Sequence, residues 1–282
     1  MEHLQQCPVC RHPSKEGKVR YRRKDDALVR CPRCGLMYAN PQYTPDELVG
    51  LYERLYYSHE NTLTGSDREA EHARNRVLYR TVLADLKRRY PQLSRCGDAQ
   101  PPRVLDYGCG PGYFLAECRS AGFEPTGVEF SEIAARYATD RLGLDVRTDP
   151  DATLRGLPSS HYALVTAWAV LEHTRRPRQV LEQLIDKLAP GGVLCLTVPN
   201  LRCWRYGIER GRWFNITNPT HLVFFERAGL ARLLAELGMT RVRRPAFWGG
   251  RPGFGTLANA AQYLVRLANL GSDLRIYAEK RR

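Results

Sequence analysis

The chain has 282 residues, of which 43% are hydrophobic, and its formal net charge is +13. This length suits one α/β domain with a small appendage, and no apolar run approaches the roughly 18 residues of a membrane span. The basic charge raises nucleic acid as a partner, but it is dispersed along the chain, which favours an ordinary solvated surface. The first residues lack the basic-then-apolar pattern of a signal peptide, so we expect a cytoplasmic protein.

Nine cysteines are present, and four of them form two Cys-x-x-Cys pairs separated by 20 residues. Two such pairs joined by a short hairpin place four thiolates at the corners of a tetrahedron, the geometry that Zn²⁺ prefers. The insert contains two short predicted strands, 19–21 and 27–30, and Gly35 follows the second pair. We therefore predict a structural zinc ribbon over residues 1–40, with ligands Cys7, Cys10, Cys31 and Cys34.

Residues 41–100 are predicted to form a linker and a helical cap. The segment 41–66 is rich in proline, tyrosine and turn formers, and residues 67–90 have helical spacing of apolar side chains that ends at Pro91. This helix is either a cap over a cofactor pocket or an ordinary amphipathic helix on the sheet. Weak site candidates in this region are Tyr56, Tyr57 and Arg74.

A glycine-rich turn follows the predicted buried strand 103–107 and precedes a predicted helix over residues 113–121. Strand, glycine turn and helix are typical of a nucleotide-binding sheet. The last glycine of the dinucleotide fingerprint would fall at position 113, which is tyrosine. A carboxylate at Asp106, just before the turn, repels a pyrophosphate and suits the cationic amino-acid end of S-adenosylmethionine.

A second acidic residue, Glu129, ends the next predicted strand, 123–128, and can accept hydrogen bonds from both ribose hydroxyls. Ser131 is predicted to cap the helix that follows. The alternation of strands and helices then continues. The predicted strands are 144–147, 162–168, 193–198, 240–247 and 274–278, and the predicted helices are 177–188, 228–237 and 256–270.

Four motifs and a C-terminal string resemble those of class I S-adenosylmethionine-dependent methyltransferases. The string, residues 221–239, is similar to the branch that includes ubiquinone-biosynthesis-type and natural-product enzymes, and the resemblance covers about residues 70–245. It implies a doubly wound, Rossmann-like α/β domain over residues 101–282. Its seven-stranded sheet would have the order 3-2-1-4-5-7-6, with the last strand antiparallel. The motifs occupy residues 104–112, 127–131, 167–173 and 188–192.

The resemblance also implies roles for individual residues. Glu129 would bind the ribose, Phe130 would stack near the adenine, and Trp168 would line the pocket. The partner of the adenine amino group would be Asp149 or Asp151, and the sequence does not distinguish them. The methionine end would be held by Asp106, Gly108, Gly110 and Gly112.

Two histidines are candidates for the base that removes a proton from a hydroxyl acceptor. His173 follows the fourth strand of the sheet, and His221 follows a predicted acceptor-site insertion at residues 200–221. The insertion interleaves aromatic side chains with arginines, which suits an acceptor that carries an anionic group. Either histidine is alternatively a packing residue.

The leading hypothesis is therefore methyl transfer to a small molecule, with a hydroxyl of a sugar or secondary metabolite as the acceptor. A second hypothesis is an RNA methyltransferase that grips RNA with the zinc ribbon and the basic surface. A third is a binding module without catalysis. The acceptor, the accepting atom and the oligomeric state are left open.

Overall fold

A seven-stranded sheet forms the centre of the computed structural model, which describes residues 1–52, 55, 65–94, 100–243, 245 and 271–282. Counted from the strand before the glycine turn, the order is 3-2-1-4-5-7-6. The last strand runs antiparallel to both of its neighbours. The predicted fold class is therefore confirmed. The strands are β4 (Arg103–Tyr107), β5 (Glu124–Val128), β6 (Asp145–Arg147), β7 (Tyr162–Trp168), β8 (Leu188–Pro199), β10 (Met239–Arg243) and β11 (Asp273–Lys280).

Helices cover both faces of this sheet, so its central strands are buried on both sides and read as apolar runs. One face is covered by α2 (Gly65–Arg89) and α3 (Tyr113–Ser120), and Val82, Leu83 and Leu86 of α2 are buried there. The remaining helices are α1 (Pro45–Tyr52), α4 (Glu132–Asp140), α5 (Pro150–Gly156), α6 (Pro177–Lys187), α7 (Trp204–Glu209), α8 (Phe214–Thr217) and α9 (Arg227–Glu236), with short 3₁₀ turns at Ser14–Glu16, Pro91–Ser94, Leu171–His173 and Arg210–Arg212.

The N-terminal residues form a second, four-stranded sheet. Its first three strands are β1 (Lys18–Arg22), β2 (Ala27–Arg30) and β3 (Met37–Asn40), and its fourth is β9 (Val223–Phe224), which comes from the C-terminal half of the chain. The two ribbon strands were predicted; the pairing of β3 with β9 was not. Backbone pairing therefore ties the N-terminal residues to the segment that follows the predicted acceptor insertion.

Helix α1 lies where the sequence analysis predicted a linker. The Thr44 hydroxyl accepts a hydrogen bond from the Glu47 amide at 3.3 Å, and the Thr44 amide donates to the Glu47 carboxylate at 2.8 Å. This reciprocal pair is a capping box, and Pro45 occupies the first helical position, where proline is tolerated. The tyrosines and prolines of the segment masked this local signal.

Several predictions lie outside the described residues: Tyr56, Tyr57, the helix over residues 256–270 and the end of the strand predicted over residues 240–247. In the part of the chain that the structure describes, no helix is both long and apolar enough for a bilayer span.

Candidate active site

The glycine turn joins β4 to α3 with three left-handed residues. Gly108, Gly110 and Gly112 have φ angles of 71°, 54° and 80°. A Cβ at Gly108 would lie 2.4 Å from a methyl carbon of Val170, so the backbone approaches this side chain too closely for any larger residue. A Cβ at Gly110 would meet no atom within 4 Å. The turn is therefore closed at its first glycine and open to a ligand at its second.

A cleft with about 500 Å³ of empty space, open to solvent on one side, lies beside this turn. Helix α2 contributes Glu71, Asn75 and Tyr79, which are spaced four residues apart and so share one face of the helix. Helix α2 thus borders the cleft, whereas the candidate Arg74 is exposed. The remaining lining residues are Asp106, Gly108, Cys109, Gly110, Pro111, Tyr113, Phe114 and Trp168.

Asp106 is the buried carboxylate of the cleft, with 1% of its surface exposed. Its Oδ1 accepts a hydrogen bond from the Thr166 hydroxyl at 2.5 Å. Burial raises the pKa of Asp106 to about 8, and the Thr166 hydrogen bond opposes that shift only in part. Because a buried carboxylate without a cation is costly to ionise, the side chain is prepared for a positively charged ligand group.

Glu129 stands at the end of β5, on the other side of the glycine turn. Its Oε2 accepts a hydrogen bond from the Gly110 amide at 2.7 Å, and its Oε1 accepts one from the Ser131 amide at 2.8 Å. Burial raises the pKa of Glu129, and these backbone donors oppose the rise. The Phe130 amide is a third backbone donor to this carboxylate, which leaves it one of about four lone pairs with which to accept a hydroxyl hydrogen bond.

Trp168 ends β7 and enters the cleft. Its ring lies 4.9 Å from Phe114 and 5.8 Å from Tyr79 between centroids, and the Arg275 guanidinium lies 5.1 Å above it. The indole Nε1 is buried and has no hydrogen-bond partner among the described residues. The next residue, Ala169, has a φ of 53°. This sharp turn separates Trp168, which lies in the cleft, from Val170, which packs on Gly108.

The residues predicted near the adenine lie at the ends of β5 and β6. Phe130 follows β5 and is 45% exposed. Asp149 has a φ of 56° and caps α5 by accepting a hydrogen bond from the Ala152 amide at 3.1 Å. Asp151 is exposed in the first turn of that helix. The cap occupies one oxygen of Asp149, and the choice between the two aspartates stays open.

His173 and His221 are 48 positions apart in the sequence and meet in space. Their ring centroids are 4.7 Å apart and their planes are nearly perpendicular. Burial lowers the pKa of His173 to about 4, and burial with the neighbouring His173 lowers that of His221 to about 3. Both rings are therefore neutral at pH 7 and are weak bases. Neither histidine lines the cleft described above.

Glu172 was not assigned a role by the sequence analysis, although it lies beside His173. It is 1% exposed, and burial raises its pKa to about 8. Its ligand oxygen and one ring nitrogen of each histidine lie within 4.8 Å of one another. The adjacent Glu172-His173 pair was a visible signal, but its partner could not be identified without the fold.

The four predicted zinc ligands also come together. The Sγ atoms of Cys7 and Cys34 are 3.6 Å apart, and those of Cys10 and Cys31 are 3.5 Å apart. Ligands of a tetrahedral zinc ion with bonds of about 2.3 Å are separated by roughly 3.8 Å. All four sulfur atoms lie within 4.8 Å of one another, so the cluster has nearly the dimensions that zinc requires.

A buried arginine connects this N-terminal sheet to the histidine pair. Arg23 forms an ion pair with Asp26 and donates hydrogen bonds to the carbonyls of Ile216, Asn218 and His221 at 3.3, 2.7 and 3.1 Å. The carbonyls are all in the loop that presents His221. The sequence contained no signal for this link, because Arg23 is one of many arginines.

Comparison with known proteins places this geometry in a family. A trans-aconitate 2-methyltransferase of Rhizobium meliloti (strain 1021) is 28% identical over 179 residues, which are 63% of this chain and 60% of that protein. A ubiquinone biosynthesis O-methyltransferase of Bordetella avium (strain 197N) is 30% identical over 101 residues, 34% of this chain and 42% of that protein. The chain thus spans less than two thirds of the length of either relative.

A crystal structure of a SAM dependent methyltransferase from Archaeoglobus fulgidus has the same fold, with a TM-score of 0.52 and 23% identity. The similarity covers 72% of this chain and 94% of that one. A family model described as a methyltransferase domain matches residues 73–243, more than half of the chain. This match confirms the predicted enzyme class and supports S-adenosylmethionine as the cofactor. The chain belongs to the methyltransferase-domain family.

Proposed function

We propose that this protein transfers the methyl group of S-adenosylmethionine to a small-molecule acceptor, with a hydroxyl of a sugar or secondary metabolite as the accepting group. The observation that carries the proposal is the pair of buried carboxylates, Asp106 and Glu129, on either side of the glycine turn. Two carboxylates repel a diphosphate. They match a ligand that has an ammonium at one end and a ribose diol in the middle.

The cleft fits S-adenosylmethionine in three respects. Gly110 leaves space where a side chain would stand, and Trp168 Nε1 is a buried donor that lacks a partner among the described residues. In that part of the chain, no cation shifts the pKa of Asp106. Asp106 would bind the ammonium, and Glu129 would accept from a ribose hydroxyl. The cofactor supplies an activated methyl group on a sulfonium, so the protein has mainly to bind and orient.

A small-molecule acceptor is supported by the names of the relatives, a trans-aconitate 2-methyltransferase and a ubiquinone biosynthesis O-methyltransferase. Within the chain, the segment at residues 200–221 has an aromatic centre in which Trp213 is buried against Tyr206, with centroids 5.7 Å apart.

Transfer of a labelled methyl group tests the proposal. We would incubate the protein with methyl-labelled S-adenosylmethionine and a panel of small polyols, phenols, amines and carboxylic acids, with total RNA as a separate arm. Label in the hydroxyl compounds, absent with Asp106→Asn and retained with the exposed control Asp145→Asn, would support it. Label found in RNA alone, or in amines alone, would contradict it.

We also propose that the four-cysteine cluster holds a structural zinc ion. The sulfur separations support this, as does the repeated backbone pattern of the two pairs. The Arg11 amide donates to the Cys7 carbonyl at 3.0 Å, and the Gly35 amide donates to the Cys31 carbonyl at 3.1 Å. Both donors have positive φ angles. A site closed by four thiolates leaves no position for a substrate, so its role is to stabilise the ribbon. Elemental analysis of the purified protein should give at least one zinc per chain, and one fewer in Cys31→Ser.

A further inference from the structure

We propose that Glu172, His173 and His221 bind a divalent first-row transition-metal ion. One ligand atom of each lies within 4.8 Å of the other two. Glu172 and His173 come from the 3₁₀ turn after β7, and His221 comes from the loop before β9. Two imidazoles and one carboxylate form a donor set typical of ions from Mn²⁺ to Zn²⁺, and such sites leave coordination positions open.

Backbone carbonyls orient both rings for this role. His173 Nδ1 lies 3.1 Å from the Thr220 carbonyl, and His221 Nδ1 lies 3.0 Å from the Asn215 carbonyl. A carbonyl only accepts, so each Nδ1 carries the proton and each Nε2 carries the lone pair. Metal-binding histidines are commonly held in this way, with the second ring nitrogen donating to a carbonyl.

The Glu172 carboxylate has a buried oxygen without a hydrogen-bond partner among the described residues. Glu172 is 1% exposed, its Oε2 has no hydrogen-bond partner among the described residues, and no ion pair to it occurs in that part of the chain. The residue's own backbone amide lies close enough to donate to the carboxylate, but Oε2 stays buried without a donor among the described residues, and a bound divalent cation would remove that cost. The unsatisfied oxygen is thus a second observation, independent of the clustering, that points to a cation.

The loop that carries His221 is held from several directions, so the arrangement is built into the fold. The Leu222 amide donates to the Glu172 carbonyl at 2.7 Å, and the Asn218 side chain accepts from the Thr220 amide and hydroxyl at 3.1 and 2.8 Å. Arg23 binds the same loop from the N-terminal sheet. Metal bonds of about 2.1 Å need ligand atoms roughly 3–3.5 Å apart, which small side-chain rotations would reach.

This ion would have a chemical use if the proposed methyl transfer is correct, on which this step rests. An open coordination position would take the acceptor hydroxyl, lower its pKa and release its proton to water. The oxygen would then form a bond to the methyl carbon as the sulfur–carbon bond breaks, and the electron pair of that bond would remain on sulfur.

Manganese binding tests the site without cofactor or acceptor. Protein that keeps zinc in the four-cysteine cluster, and from which more weakly held metal has been removed by brief treatment with a carboxylate chelator, would be titrated with Mn²⁺ while electron paramagnetic resonance reports the free ion, since thiolates are poor ligands for Mn²⁺. We expect one bound equivalent. Affinity should fall at least about tenfold in Glu172→Gln and His221→Asn, and should be retained in the controls Glu132→Gln and His161→Asn. No binding, or equal binding by all variants, would overturn the proposal.

A second measurement covers variants that fold poorly. Pulsed electron paramagnetic resonance on the Mn²⁺-loaded wild type should show modulation from imidazole nitrogen, and its absence would also overturn the proposal. Binding of S-adenosylhomocysteine is measured separately. A protein that binds this ligand and not Mn²⁺ would refute the metal site alone, whereas binding of Mn²⁺ without the ligand would refute the proposed methyl transfer alone.

Discussion

Cofactor affinity should depend steeply on pH because the residue proposed to bind the ammonium is protonated in the empty cleft. Burial raises the pKa of Asp106 to about 8. A carboxyl with that pKa is about 1% ionised at pH 6 and about 50% ionised at pH 8. If only the carboxylate binds the ammonium, the Kd for S-adenosylhomocysteine should fall about 50-fold over this interval.

Isothermal titration calorimetry measures both the affinity and the protons released. At pH 7 binding should release close to one proton, which would appear as a dependence of the measured enthalpy on the ionisation enthalpy of the buffer. Asp106→Asn should bind weakly at every pH and lose the pH dependence, and the exposed control Asp145→Asn should behave as wild type. A Kd that is equal at pH 6 and pH 8, with no proton release, would refute the reasoning.

The raised pKa of Asp106 should also make the stability of the unliganded protein depend on pH. Its native pKa lies above that of an unfolded aspartate, so between about pH 4 and pH 8 the native state holds a proton that the unfolded chain has lost. Stability should therefore fall as pH rises, with Asp106 contributing up to about 1.4 kcal/mol per pH unit. Asp106→Asn should reduce the slope measured by urea denaturation. Burial also raises the pKa values of Glu129 and Glu172, so part of the slope should remain.

Three further predictions concern the glycine turn, the buried arginine and the zinc cluster. Gly108→Ala should lower the free energy of unfolding in urea by about 2–5 kcal/mol and weaken cofactor binding, since this position combines a positive φ with a close contact. Gly156→Ala, where a Cβ would meet open space, should leave the free energy of unfolding nearly unchanged. Arg23→Ala should lower the free energy of unfolding by about 3–5 kcal/mol, because it leaves the buried Asp26 carboxylate without its ion-pair partner. Substitution of the exposed Arg22 by alanine should change it little, and equal effects of the two substitutions would contradict the role given to the ion pair. Chelation of zinc, or Cys31→Ser, should speed hydrogen exchange in residues 1–40 and in residues 215–224, which the N-terminal sheet contacts; unchanged exchange in both would argue against a structural ion.

Local patterns determined most of the central fold. The positions of β4, β5 and β7 and of the glycine turn followed from short apolar runs, turn residues and spacing, which act within a few residues of one another. Asp106 and Glu129 were identified for the same reason, because the end of a strand beside a glycine turn is a local feature. Asp106 lines the cleft, and Glu129 accepts a hydrogen bond from Gly110 in the turn.

Helix α2 illustrates the limit of such patterns. Its existence was predicted, yet its cleft-lining face was not, although Glu71, Asn75 and Tyr79 follow a spacing of four residues. A helix presents several faces, and only its docking against α3 decides which one meets the ligand. The polar stripe was visible, but it did not distinguish a site from a solvated surface.

Long-range pairing belongs to the tertiary structure alone. By itself the sequence determined the strand–turn–helix unit, the two carboxylates and the four cysteines, because each depends on residues close together in the chain. The pairing of β3 with β9, the bonds from Arg23 to the His221 loop, and the meeting of Glu172, His173 and His221 join segments about 50 to 200 residues apart. No local propensity encodes such contacts, since they arise when the packing of the whole core brings separate loops to one edge of the sheet.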